Sequence, residues 1–251
     1  MTTILIIESN TPDLLAIGKS ASVFFLRTFQ ALDPALTLKV VCPYAGPISP
    51  DAYEGVDGIV YTGSAVQWGT DAPEAAPLRA EMERTFTQNR PVWGSCNGMQ
   101  LAADVLGGGT GDSPNGVEFG LAKAISTTDQ GVQHDMMAGR TASFEVPCIH
   151  RVEVQKLPKD AVLIAGNAHS PVQAMTVEAN GIDFWGTQYH PEMRLSDLAV
   201  VANAPDLGAD LTIADENEAA AKHLGTSVAA MSLHNRAREL VNWLDHVKAR
   251  G

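Results

Sequence analysis

The chain has 251 residues, enough for one large domain with a full core. Hydrophobic residues make up 45% and charged residues 18%, the balance of an ordinary globular protein rather than a disordered one. The formal net charge of -12 argues against a nucleic-acid backbone or an anionic membrane surface as partner, and no apolar run approaches the length of a membrane span. The first residues, Met1 to Glu8, lack the basic start and small-residue cleavage site of a signal peptide and read as a first strand. The cysteines, Cys42, Cys96 and Cys148, are too sparse for a disulfide framework and fit a reducing cytosol, so a cytoplasmic location is expected.

In chain order, Thr3 to Ile7 is a β-branched run suited to a buried parallel strand. Ser20 to Leu32 has helical apolar spacing, and Leu36 to Val41 is a second strand. Gly58 to Tyr61 is a third, ending at Thr62-Gly63-Ser64, and Pro73 to Gln88 reads as a helix. Pro91 to Ser95 is a fourth strand, and Asn97 to Leu106 is a helix closed by Gly107-Gly108-Gly109. Strand and helix alternating at this spacing predict an α/β fold with a doubly wound, mostly parallel sheet. Beyond it, Val117 to Ile125, Thr141 to Pro147, Arg151 to Gln155, Val162 to Ala165, Val172 to Val177 and Phe184 to Tyr189 are short strand-like runs. They predict antiparallel additions at the sheet's edge. Residues 1–195 are read as one domain and 196–251 as a helical extension packed on it. Within the extension, Pro205 to Asn217 reads as a loop and Val228 to Val247 as a helix.

The chemistry centres on Gly94-Ser95-Cys96-Asn97-Gly98. A strand running into G-x-C-x-G and then a helix is the layout of a nucleophile elbow, with cysteine in place of serine. A cysteine attacks carbonyls as thiolate, and the start of a helix favours that charge. The backbone N–H of Asn97, next after the nucleophile, would supply one oxyanion donor. Gly63 is the candidate for a second, because ligands bind outside the carboxyl ends of parallel strands; it reads equally as a plain turn residue.

Well downstream lies Gln188-Tyr189-His190-Pro191-Glu192. Pro191 disfavours helix at His190, and in extended backbone residues two apart point the same way. Glu192 could therefore take the imidazole N–H of His190 and hold its tautomer. Read alone, the segment is also compatible with a surface turn. The spacings of His134, Asp135, His150 and His169 fit no metal motif, and neither a metal nor another cofactor is expected. Cys42 and Cys148 read as buried small hydrophobes. Trp68 and Trp93 read as packing residues, Trp68 being able to wall a pocket beside Gly63.

G-x-C-x-G-x-Q with a Gly-Gly stop, then Glu118-Phe119-Gly120, then Q-x-H-P-E, resembles the class I glutamine amidotransferases over about residues 3–193. The likeness is greatest to the glutaminase domain of GMP synthases and their stand-alone relatives. It implies a flavodoxin-like sheet, Cys96 as nucleophile, His190 as base and Glu192 as its orienter. It also implies an oxyanion hole from Gly63 and Asn97, and contacts to glutamine from Gln100 and from the backbone of the stretch Cys148, Ile149 and His150; Arg151, next in line, reads either as a cation near the substrate's carboxylate or as a solvated rim residue. The chain departs from the family in having Met99 where histidine is usual, and Arg151 and Val152 where glycine and aspartate are usual. The implied reaction releases ammonia from glutamine, with a separate ammonia-accepting synthetase as partner. Two alternatives are a stand-alone hydrolase of γ-glutamyl peptides or γ-glutamyl amines, and an inactive binding module. An ordinary α/β-hydrolase fits less well, because there the acid precedes the histidine.

Overall fold

The computed structural model describes residues 1–202 and 232–251. Eleven strands are present among them: β1 (Thr3–Ile7), β2 (Thr37–Val41), β3 (Gly58–Tyr61), β4 (Val92–Ser95), β5 (Gly109–Asp112), β6 (Glu118–Thr127), β7 (Ser143–His150), β8 (Val152–Lys156), β9 (Ala161–Gly166), β10 (Ala174–Ala179) and β11 (Ile182–Thr187). Helices are α1 (Pro12–Ala16), α2 (Ser22–Leu32), α3 (Ala76–Phe86), α4 (Asn97–Val105), α5 (Asp129–Gln133), α6 (Leu195–Ala202), α7 (Leu233–Arg236) and α8 (Arg238–Arg250). Nine strands form one sheet in the order β2-β1-β3-β4-β11-β10-β9-β6-β7, and β5 pairs with β8 apart from it. The first five run parallel and the last four add in antiparallel fashion. This is the flavodoxin-like α/β architecture the sequence predicts.

Alternation along the parallel strands explains the layers. Ile4 and Ile6 of β1 face one core, with Phe25 and Phe29 of α2 and Leu240, Trp243 and Val247 of α8. Leu5 and Ile7 face the other, with Leu78 and Met82 of α3 and Met99 and Leu101 of α4. Successive side chains of a strand point to opposite faces, so an almost wholly apolar strand needs helices on both. The C-terminal extension thus supplies part of one layer: the Trp243 ring lies 6.1 Å from Phe29 and 6.3 Å from Trp93. Burying a side chain such as Leu240, fully shielded here, contributes about 1.5–3 kcal/mol.

Three expectations are corrected. The run from Phe184 is not an antiparallel edge addition: β11 lies mid-sheet, parallel to β4 and antiparallel to β10. The run from Arg151 does not join the main sheet; β8 pairs with β5, whose sequence Gly109-Thr110-Gly111-Asp112 carries no strand pattern. The predicted C-terminal helix is broken at Ala237 into α7 and α8. Residues 228–231 of that prediction, and the whole Pro205 to Asn217 loop, lie outside the described residues.

Candidate active site

Cys96 sits between β4 and α4 with φ 48° and ψ -104°. A non-glycine residue at positive φ is strained, and the strain turns the chain sharply from strand to helix. Two glycines permit the turn. A Cβ at Gly94 would sit 2.7 Å from the backbone carbon of Gly98, and one at Gly98 would sit 2.6 Å from the Tyr61 carbonyl oxygen. The Cys96 N–H donates to Thr187 of β11 at 2.7 Å, and the Cys96 carbonyl accepts the first helical bond from Gln100 at 2.9 Å. Asn97 therefore begins the helix, where the first N–H groups have no intrahelical acceptor.

His190 leaves the end of β11, and its own N–H is held by the Pro147 carbonyl at 2.8 Å. His190 Nδ1 lies 2.7 Å from Glu192 Oε1, while the buried Nε2 has no hydrogen-bond partner among the described residues. The other carboxylate oxygen of Glu192 accepts the Ser95 hydroxyl at 3.0 Å. Burial disfavours a charge on His190, but the Glu192 carboxylate outweighs it and, with a contribution from Cys96, raises the imidazole pKa to about 10. A Cβ at Gly63 would meet His190 Cε1 at 2.8 Å and Cys96 Cβ at 3.7 Å, so both side chains close over that glycine. The Cys96 sulfur receives the Gln188 amide at 3.5 Å and lies 3.8 Å from the Ile149 carbonyl oxygen.

These residues open onto a cavity of about 450 Å³. Of the residues expected at the site, Cys96, His190, Glu192, Gly63, Asn97, Gln100, Ile149, His150 and Arg151 line it and the buried Cys148 does not. Three do so in unforeseen ways. Gln100 spends its amide nitrogen on the Val152 carbonyl at 2.7 Å and on Gln188 at 3.2 Å. His150 directs its ring to Glu118 at 2.8 Å rather than to the cavity. Burial works against the charge on Glu118, yet His150, Asn167 and Gln173 together hold its carboxyl below the usual carboxylate range. Glu118, part of the sequence motif, thus acts as a buried anchor between β6 and β7. Arg151 stands on the exposed rim, 3.3 Å from the equally exposed Asp112, a pairing of small energetic weight. Trp68 lines the cavity, as its position after Gly63 allows, whereas Trp93 is fully buried.

The remaining titratable groups divide by burial. Cys148 is fully buried, as expected, and burial pushes its thiol well up; Cys42 is only half-buried, its thiol donating to the Asn10 carbonyl at 3.3 Å, and burial raises it too. At the opposite end of the sheet Glu178, Asp183 and His246 gather, but His134, Arg250 and the Trp185 indole already pair with their carboxylates. The sequence reading missed Ser95, Thr28 and Arg236, which surround Glu192 from other elements.

Over residues 47–204 the sequence matches the class-I glutamine amidotransferase family. The chain belongs to that family. Among curated relatives it is 29% identical over 234 residues to a γ-glutamyl-L-1-hydroxyisopropylamide hydrolase of Pseudomonas sp., covering 80% of this chain and 76% of that protein. It is 34% identical over 138 residues to the glutamine-hydrolysing GMP synthase of Aeropyrum pernix, covering 55% of this chain and 24% of that one. The chain spans about a quarter of the GMP synthases it matches. Among solved structures, a glutamine amidotransferase of Thermotoga maritima superposes with a TM-score of 0.67 at 14% identity, over 98% of this chain and 97% of that one. One from Methylobacillus flagellatus gives 0.63 at 21%, over 99% and 92%. At these identities the structures speak for the fold. No helix among the described residues is long and apolar enough to cross a membrane.

Proposed function

We propose that the chain hydrolyses the γ-amide bond of glutamine or of a γ-glutamyl compound through a thioester on Cys96. The observation that carries this is the His190–Glu192 contact at 2.7 Å, which turns the buried Nε2, without a hydrogen bond among the described residues, toward the chemistry of Cys96 at the start of α4. The Cys96 thiol passes its proton to His190 and the sulfur forms a bond to the γ-carbonyl carbon, whose oxygen takes the electron pair of the carbonyl and accepts hydrogen bonds from the N–H groups of Gly63 and Asn97. His190 gives a proton to the leaving nitrogen as the carbon–nitrogen bond breaks. Water then gives up a proton to His190 and attacks the thioester; the carbon–sulfur bond breaks, glutamate is freed, and the departing sulfur takes the proton back from His190. Removal of one oxyanion donor in such a reaction costs about 10²–10³ in rate. With glutamine the leaving group is ammonia, and a separate synthetase would consume it.

A second reading is favoured by the cavity. Its 450 Å³ is within the ordinary range of small-molecule sites, about 300–1,000 Å³. Beyond the Cys96 end it is walled by Val23, Phe24, Val66, Trp68, Phe119 and Met193. Ammonia needs no such wall, whereas an amine bearing a short carbon substituent would fill it. The Pseudomonas relative, named for a γ-glutamyl hydroxyisopropylamide, points the same way.

The test is glutamate release by the purified chain from L-glutamine and, in parallel, from a γ-glutamyl alkylamide. Cys96→Ala should abolish both, and activity retained in a folded Cys96→Ala chain would end the thioester mechanism. Faster release from the alkylamide selects the second reading, and faster release from glutamine selects the first. A glutamine-like alkylating agent should label Cys96 and spare Cys42 and Cys148, whose thiols burial keeps protonated.

A further inference from the structure

Arg236, at the end of α7, is 4% exposed and lies behind the His-Pro-Glu segment. Its Nη1 donates to the Pro191 carbonyl at 2.5 Å and its Nη2 to Thr28 Oγ1 at 3.3 Å. Thr28 in turn donates to the Glu192 carbonyl at 2.9 Å. Two consecutive carbonyls of the segment are thereby held from α2 and α7, by side chains that do not line the cavity.

The charges facing Arg236 are Glu192 and Asp197, which attract it, and Arg27 and Arg194, which repel it. Asp197 is already committed: it pairs with Arg27 and accepts the Arg194 N–H at 2.7 Å. Glu192 is left as the principal counter-charge. Around Glu192 itself stand His190, Ser95 and Arg236. Burial lowers the guanidinium pKa to about 10, which still leaves it charged at neutral pH. A buried cation without compensation is costly, so this arginine draws on the Glu192 carboxylate as well as on the Pro191 carbonyl.

We infer that Arg236 is a positioning residue for the Cys96 reaction: it fixes the His190–Pro191–Glu192 backbone and sets a positive charge near the Glu192 carboxylate, so that Nδ1 stays bound and Nε2 stays available. The inference rests on the thioester reading for its kinetic consequence, but its structural content can be read without any substrate.

The experiment compares wild type, Arg236→Gln, Arg236→Lys and Arg140→Gln as full chains. Arg140 is the comparison because it holds α8 through the Glu239 carboxylate at 2.7 Å and α7 through the backbone carbonyls of Asn235 and Arg236, while making no hydrogen bond to Pro191, Thr28 or Glu192 among the described residues. Two readouts are used: the rate of Cys96 alkylation by iodoacetamide at neutral pH, and the downfield proton resonance of His190 Nδ1. Arg236→Gln should alkylate about tenfold more slowly, as a smaller share of Cys96 is held as the reactive thiolate by a well-placed imidazole, and should lose the resonance. Arg236→Lys keeps the charge but cannot span Pro191 and Thr28, so its rate should recover while the Nδ1 proton exchanges faster. Arg140→Gln should lower the melting temperature and leave alkylation unchanged. A folded Arg236→Gln chain with wild-type alkylation overturns the inference. So does an unchanged Nδ1 proton in Arg236→Lys, which also decides the matter if the Gln variant does not fold. Equal slowing in Arg140→Gln would reduce Arg236 to a docking residue. With a γ-glutamyl substrate, kcat should fall in Arg236→Gln and KM should hold. If wild type turns over no γ-glutamyl compound, the proposed function fails while the alkylation series still judges Arg236.

Discussion

The Ser95 hydroxyl donates to Glu192 Oε2 at 3.0 Å, tying the residue before Cys96 to the carboxylate that holds the His190 ring. Ser95 also accepts the Trp93 indole N–H at 3.0 Å, so one fully buried hydroxyl serves two partners. Ser95→Ala would leave that indole N–H unpaired in the core and strip Glu192 of a donor. The expected loss of stability is about 1–3 kcal/mol, with kcat down about 3–10-fold. Denaturant unfolding and steady-state kinetics on the same sample check both. An unaltered kcat would mean that Ser95 serves the core alone.

Gly63 and Gly98 should fail differently. Alanine at 63 meets the end of a side chain, His190 Cε1 at 2.8 Å, which can be relieved by turning the imidazole. Stability should hold while kcat falls by about 10²-fold, the usual cost of misplacing a reacting group by an ångström. Alanine at 98 meets the Tyr61 carbonyl oxygen at 2.6 Å, which is backbone and cannot turn away. That variant should lose about 1–3 kcal/mol or more of stability. Melting curves with activity assays separate the two, and a fully active Gly63→Ala chain would remove His190 from the proposed geometry.

Stability should also carry the imprint of His190. Its pKa is 6.5 without the fold and about 10 within it, because Glu192 outweighs burial. Between those values the folded chain holds a proton that the unfolded chain releases. The associated stability is whole below pH 6.5, declines as pH rises, and is lost above about 10. In Glu192→Gln the raising charge is gone, so the alkaline decline should flatten. Thermal melts of both proteins over that range provide the measurement, and parallel slopes would contradict the coupling.

The elbow was legible because its geometry leaves local marks: Gly94 and Gly98 at fixed offsets, with a helix pattern behind them. His190 and Glu192 were legible because a proline between them limits the backbone. The position of β11 was not, since a short apolar run reads alike in a parallel and an antiparallel sheet. Pairing of β5 with β8 was hidden by two glycines in four residues. Arg236 and Thr28 were invisible for a different reason. Each sits in an ordinary helical segment, and only tertiary packing brings them to the His-Pro-Glu backbone. Glu118 was legible as a motif, but its task, a buried acceptor for His150, emerges only from the pairing of β6 with β7.

Because β4 and β11 are adjacent parallel strands in register, Ser95 beside Thr187, the separation of Cys96 and His190 follows from a hydrogen-bond ladder. Neighbouring strands keep a spacing of about 4.8 Å whatever side chains they bear. The sheet thus sets where the Cys96 and His190 segments begin, while Phe24, Val66, Trp68 and Phe119 of the cavity lining come from elsewhere in the chain. On the proposed function, the lining can be altered to suit another leaving amine without disturbing the strands that carry Cys96 and His190.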